Sequence, residues 1–332
     1  MTKVIKSNEI EQAAKCLKCG GTVVFPTETV YGLGGDAFND SAIDKIYKAK
    51  GRPSDNPLIV HIADINDLKI LAKEISADSQ KLIDAFWPGP LTIIFPKNDE
   101  VHLRVTGGLD TVAVRFPSNK IAQELIKKSG VLVAAPSANL SGSPSPTVCR
   151  HVIDDLFGRV DYIIDGDNCK IGLESTVIDM TGTVPVILRP GGITLEQIKY
   201  ILPNVELDKG LTDSVQKPKC PGMKYKHYSP RADVEVVMGC KENIRAYIKQ
   251  RLKQEKKSGV MTYKGGDYDD AACVLSAGNN MNEYASNLFY NLRVFDEYKV
   301  DKVYVEFENE EGIGVAVRNR LYKAAGNNIT EV

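Results

Sequence analysis

The chain has 332 residues, enough for two domains, with 43% hydrophobic and 26% charged residues, as in an ordinary soluble globular protein. Its net charge of -1 excludes a global electrostatic drive toward nucleic acid or membrane, so any basic site must be local. The start, MTKVIKSNEIEQ, has no apolar signal region and no apolar run is long enough to span a bilayer, so a cytoplasmic protein is expected; seven cysteines, an odd and scattered set, speak against a disulfide framework.

In chain order, residues 8–19 predict a helix stopped by Gly20-Gly21, and Thr22–Phe25 a short strand. That strand is expected to end in Pro26-Thr27-Glu28-Thr29 and turn through glycines 32, 34 and 35. Ser41–Ala49 has helical spacing, with Ser41 placed to cap it. Leu58–Ile62 reads as a buried strand, and Ile65–Ala72 and Asp78–Phe86 as helices. Leu91–Phe95, Val112–Phe116 and Val131–Ala134 read as strands, with a helix over Lys120–Lys128. Tyr162–Asp165, Thr176–Asp179 and Val186–Arg189 complete a sheet. Strands that follow one another directly, among others separated by helices, predict a mixed α/β sheet.

After Leu202 the texture changes. Residues 203–232 contain Pro203, Pro218, Pro221 and Pro230 and little periodicity, which marks a linker or a functional loop. Regular pattern returns with strand Val234–Val237 and a helix over 241–256. Strands Gly259–Thr262 and Ala272–Leu275 follow, then a helix over 281–297, strand Lys302–Glu306 and a helix near 314–325. This half is expected to be a smaller Rossmann-like α/β domain. The organisation expected is a catalytic domain over 1–205, a linker over 206–232 and a C-terminal domain over 233–332.

Several segments carry chemistry. Lys50-Gly51-Arg52-Pro53 places two cations after a helix, suited to a triphosphate, although a solvated basic helix end has the same composition. Pro26–Gly32 lacks the lysine and spacing of a P-loop. Ser137-Ala138-Asn139-Leu140-Ser141-Gly142 follows an apolar run and offers hydroxyl and amide groups on small residues, as a nucleotide contact or a plain turn would. Glu174-Ser175-Thr176-Val177 and Arg189-Pro190-Gly191-Gly192 also put polar groups at strand ends. Lys224–Pro230 combines His227, Tyr225, Tyr228 and cations, which reads as a lid more than as a tether. Cys16 and Cys19 have CxxC spacing, but there is neither a second CxxC nor a histidine pair, so no metal site is expected.

Taken together and in order, PTETVYGLG, KAKGRPSDNPLIVHI, WPGPLT, VAVRFP, APSANLSG, ESTVID and RPGGI resemble the YrdC-like family over about the first two thirds of the chain. PGMKYKHYSP followed by a small α/β domain resembles that family's long, two-domain branch. The resemblance implies a YrdC-like twisted mixed sheet. It also implies synthesis of L-threonylcarbamoyladenylate from L-threonine, bicarbonate and ATP with release of pyrophosphate, and Mg2+ accompanying ATP. The product would pass to the machinery that transfers threonylcarbamoyl to tRNA beside the anticodon. By the same resemblance, Thr29, His61, Arg115, Ala135 and Ser175 line a threonine pocket. Lys50 and Arg52 act on the phosphates, and Arg52, Asn56, Thr111, Ser137, Asn139, Ser145, Arg189, His227 and Tyr228 bind ATP. Cys220 stands where a serine is expected before Pro-Gly-Met. Two other classes compete. A plain RNA-binding module, and with it tight direct tRNA binding, is disfavoured by the net charge. A metallocentre carbamoyl transferase would carry paired zinc-binding CxxC motifs, which this chain lacks.

Overall fold

The computed structural model describes residues 1–208, 228–308, 311–326 and 328–332. They form two compact units. The first takes in Met1–Ser141, Pro146–Lys170 and residues 174–208; the second takes in Gly142–Ser145, Ile171–Leu173 and the described residues from 228 onward.

The first unit begins β1 (Lys3–Lys6), α1 (Ile10–Lys18), β2 (Val23–Phe25), β3 (Gly32–Asp36), α2 (Asp40–Lys50), β4 (Ile59–His61), α3 (Leu68–Leu71), α4 (Ala77–Phe86) and β5 (Leu91–Pro96). It continues α5 (Leu103–Thr106), β6 (Thr111–Arg115), α6 (Lys120–Ser129), β7 (Val133–Ala134), α7 (Cys149–Leu156), β8 (Tyr162–Asp165), β9 (Thr176–Asp179), β10 (Val186–Arg189), α8 (Leu195–Ile201) and β11 (Glu206–Leu207). The strands form one 11-stranded sheet in the order β1-β8-β2-β3-β7-β4-β6-β5-β9-β10-β11. The sheet is mixed, as expected: β4 and β6 are parallel, whereas β2–β3 and β5–β6 are antiparallel.

Alternation along the strands divides the interior into separate cores. In β2, Val24 joins a core with Ile43 and Ile46 of α2, Leu82 of α4 and Val152 of α7. Its neighbours Val23 and Phe25 face a core with Leu17 of α1 and Leu125 of α6. Helices thus cover both faces, which is why the central strands are apolar at nearly every position.

Local chemistry fixes the helix that carries Lys50. The Asn39 side chain caps α2 by accepting from the Ala42 amide at 3.2 Å, and Gly51 ends it in the left-handed region at φ 62°. The expected cap at Ser41 is therefore displaced by two residues, and Ser41 lies inside the helix. Glycines 32, 34 and 35 do not form a turn; they lie in β3, paired antiparallel to β2. A Cβ at Gly34 would stand 2.7 Å from Val133 Cγ1 and 2.8 Å from Phe25 Cε1, so glycine is required there by packing. The expected strand over Val131–Ala134 shortens to Val133–Ala134, and the helix over Ile65–Ala72 to a 3-10 turn followed by α3. Strands β1 and β11 and helices α5, α7 and α8 were not anticipated.

The second unit contains β12 (Asp233–Met238), α9 (Lys241–Leu252), β13 (Ser258–Tyr263), β14 (Cys273–Gly278), α10 (Met281–Tyr298), β15 (Lys302–Phe307), α11 (Ile313–Ala325) and β16 (Ile329–Glu331). Its five strands are all parallel, in the order β14-β13-β15-β12-β16, giving the Rossmann-like layer expected. Glu306, buried near the end of β15, accepts from the Tyr263 amide at 2.7 Å and from Arg245 Nε at 3.3 Å. Among the described residues, no helix is long and apolar enough to cross a membrane.

Candidate active site

One row across the first sheet organises the site. Val133, His61, Arg115, Thr92 and Val177 are register partners on the neighbouring strands β7, β4, β6, β5 and β9. His61 and Arg115 are the last residues of their parallel strands, so both side chains are delivered to the same end of the sheet. This is where open α/β sheets generally bind ligands.

The segment between β2 and β3 reaches this row. The Thr27 hydroxyl donates to the Val30 carbonyl at 2.6 Å and accepts from the Val30 amide at 3.2 Å, closing a tight buried turn. The turn presents Glu28 and Thr29. Arg115 Nη1 donates to the Thr29 hydroxyl at 2.8 Å, and Arg115 Nη2 donates to Glu28 Oε1 at 2.6 Å. Arg115 Nε lies 3.4 Å from the Gly89 carbonyl. The Glu28 and Arg115 side chains are 11% and 5% exposed, which makes this a buried ion pair. Burial opposes ionisation of Glu28, but the Arg115 charge, their hydrogen bond and the amides of Glu28 and Ser118 outweigh it. Its carboxyl is held below the usual range.

His61 behaves differently. Burial, reinforced by the Arg115 charge, drives its pKa down to about 3. Its Nδ1 lies 3.1 Å from the Ile59 carbonyl, and its ring meets Phe25 edge-on with centroids 6.3 Å apart. It is a neutral, positioned imidazole at physiological pH.

A second cluster adjoins through Thr92, whose hydroxyl is 2.7 Å from that of Ser175. Arg189 at the end of β10 donates to the Ser175 carbonyl from Nε at 3.1 Å and from Nη2 at 3.0 Å, and Nη2 also reaches the Ser175 hydroxyl at 3.2 Å. Ala135 follows β7, and its amide donates to the Ile59 carbonyl at 2.9 Å.

The cationic helix end resolves into two different situations. Lys50 is buried, and its ammonium donates to the Ser137 and Asn139 carbonyls, both at 2.5 Å. The Ser141 amide in turn donates to the Lys50 carbonyl at 2.9 Å, and Ser137 Oγ donates to Asn139 Oδ1 at 2.6 Å. The reading of Lys50 as a solvated cation is thereby overturned: it pins the loop after β7. Arg52 is half-buried, donating to the Asn56 carbonyl at 3.3 Å and the Pro57 carbonyl at 3.0 Å. Asn56 is buried, and its Oδ1 has no hydrogen-bond donor among the described residues. Thr111 is the first residue of β6, four residues from Arg115 and so about 13 Å along the strand.

The residues expected in the site are thus arranged as one group around Thr29, His61, Arg115, Ala135 and Ser175, and others around Lys50–Ser137–Asn139 and Arg52–Asn56. Ser145 and Tyr228 belong to the second unit. There Tyr228, at φ 65°, stacks on Phe289 with ring centroids 5.1 Å apart. His227 and most of the expected lid, residues 209–227, lie outside the described residues. Sequence reasoning missed Glu28 and Thr92. The only signal for Glu28 was a carboxylate set between two hydroxyl residues in the PTET segment. No group of three or more His, Cys, Asp or Glu side chains among the described residues is placed to hold a metal ion.

Known families match the chain in two consecutive parts. Residues 15–191 match the Sua5/YciO/YrdC family model, described as "Telomere recombination", and residues 193–326 match the C-terminal domain of threonylcarbamoyl-AMP synthase. The threonylcarbamoyl-AMP synthase of Pyrococcus abyssi is 47% identical over 99% of this chain and 97% of its own length. That of Bacillus subtilis is 48% identical over 97% of this chain and 94% of its own. A crystal structure of P. abyssi Sua5 complexed with L-threonine covers 100% of this chain and 98% of its own, with a TM-score of 0.94 at 46% identity. The chain belongs to the Sua5/YciO/YrdC family, in its two-domain threonylcarbamoyl-AMP synthase form.

Proposed function

We propose that this chain makes L-threonylcarbamoyladenylate from L-threonine, bicarbonate and ATP, releasing pyrophosphate, and so supplies threonylcarbamoyl for tRNA modification in the cytoplasm. The observation that carries this reading is the buried Thr29–Arg115–His61 group at one end of the sheet, in a chain so similar to the protein solved with L-threonine.

Arg115 offers the substrate carboxylate a guanidinium fork, and Thr29 and neutral His61 offer hydrogen-bonding groups for the amino acid's hydroxyl. Ser175 and the Ala135 backbone complete this end. Arg52, Asn56 and Thr111 take the nucleotide together with Ser137, Asn139 and Arg189. Arg52 meets the phosphates, and Lys50 supplies charge beneath them while ordering the loop that carries Ser137. Mg2+ would accompany ATP and offset charge on its phosphates. Asn56 Oδ1, buried and without a donor among the described residues, is a protein oxygen chemically suited to that ion.

In the reaction the threonine amine attacks the bicarbonate carbon, a C–O bond of bicarbonate breaks, and the departing hydroxyl leaves as water with the proton lost from nitrogen, giving a carbamate. A carbamate oxygen then attacks the α-phosphorus of ATP, and pyrophosphate leaves with the α,β-bridging electrons. No covalent enzyme intermediate is required. The protein contributes positioning and fixed charge.

Pyrophosphate release with each of threonine, bicarbonate and ATP omitted in turn tests the reading. Release should vanish in every omission. Release that persists without threonine rejects it.

A further inference from the structure

The buried ion pair leaves one atom unexplained. Glu28 uses Oε1 for Arg115, while its Oε2 is buried and receives no hydrogen bond from any described residue. A charged oxygen in that condition is costly, and native structures retain one only for a reason. The backbone amides of Glu28 and Ser118 help keep the group ionised, yet neither makes a hydrogen bond to Oε2. Its surroundings are otherwise set: Arg115 is tied to Thr29, and His61 is neutral and bound to backbone.

We propose that Glu28 Oε2 is the acceptor for the α-amino group of the amino-acid substrate, so that Glu28 and Arg115 form a paired site complementary to a zwitterion. This deepens the functional reading above and rests on it. The α-carboxylate meets the cationic member and the α-amine meets the anionic member of one buried pair. The two members share a hydrogen bond, so their spacing is fixed before the ligand arrives. The assignment explains a pattern that either residue alone does not. A lone buried arginine would accept any small carboxylate, whereas a carboxylate beside it repels acids that bring no amine. Holding the nucleophilic nitrogen also serves the reaction, since carbamate formation requires that atom in a fixed place.

The test compares binding of L-threonine with binding of 2,3-dihydroxybutyrate of matching stereochemistry, in which a hydroxyl replaces the amine. Calorimetry on the full-length protein reads both affinities. The wild type should favour L-threonine by about tenfold to a hundredfold, the range for a hydrogen bond to a charged group. Glu28→Gln preserves shape and one oxygen for Arg115, and it should shrink that preference about tenfold. A merely structural role would weaken both ligands alike and leave their ratio unchanged, which overturns the proposal. The wild-type comparison stands even if the variant misfolds: equal affinity for the two ligands also overturns it. Complete failure of the wild type to bind L-threonine removes the functional reading, and this assignment with it.

Discussion

The Glu28 carboxylate lies 2.6 Å from the Arg115 guanidinium, on side chains 11% and 5% exposed, and the same guanidinium reaches the Thr29 hydroxyl at 2.8 Å. This makes Arg115 the counter-ion of a buried acid. Arg115→Ala should therefore destabilise the protein by about 3–5 kcal/mol, because Glu28 is left charged and unpaired. The double variant Arg115→Ala/Glu28→Gln should recover part of that loss. Urea unfolding of the wild type, the two single variants and the double variant measures it, and additive losses would contradict the pairing.

His61 predicts a pH dependence of stability. Its folded pKa is depressed to about 3, so the unfolded chain takes up a proton near the ordinary histidine value while the folded chain does not. More protons on the unfolded state mean that stability falls as pH falls. Between pH 6.5 and 5 this one group should remove about 2 kcal/mol. His61→Gln should show a correspondingly flatter profile over that window, measured by urea midpoints. Parallel profiles would contradict a buried neutral imidazole.

Much of this architecture was legible in the sequence. Tyr162–Asp165, Thr176–Asp179 and Val186–Arg189 stand where their short apolar runs place them, because a buried strand needs little besides apolarity and length. The second unit was legible because its helix and strand periods are distinct, alternating everywhere except at β13 and β14, which follow one another directly. The misreadings share a cause, which is that tertiary packing overrode a local signal. Glycines 32, 34 and 35 carry a turn signature, yet at Gly34 the absence of a side chain lets Phe25 and Val133 meet across β3. Ser41 and Asn39 are both good caps, and one hydrogen bond decided between them. Arg115 entered the expected site only through the family resemblance. Glu28 did not enter at all, since nothing near it in sequence reveals a partner 87 residues away.

Lys50 predicts a loop defect. Its ammonium bridges the Ser137 and Asn139 carbonyls at 2.5 Å each. Lys50→Met keeps the stem and removes the donors, so it should cost about 2–4 kcal/mol. Backbone amide exchange around 137–141 should accelerate by more than the global loss accounts for. Exchange that follows global stability alone would contradict a local pin.

Arg52 should separate activity from stability. It is half-buried and donates to two backbone carbonyls. Arg52→Ala should lower turnover by about two orders of magnitude, the loss of one preorganised charge contact, while stability changes by about 1 kcal/mol or less. Steady-state pyrophosphate release and thermal unfolding of the same preparation check both halves. Near-normal turnover would remove Arg52 from the phosphate site.

The central claim is that one pocket joins threonine, a bicarbonate-derived carbon and the adenylyl group of ATP. Radiolabelled bicarbonate tests it most directly. Incubated with threonine and ATP, the purified protein should place label in a single species that also contains threonine and AMP, with one pyrophosphate released per label incorporated. Label that never appears in a threonine- and AMP-containing species, despite sustained pyrophosphate release, would contradict it.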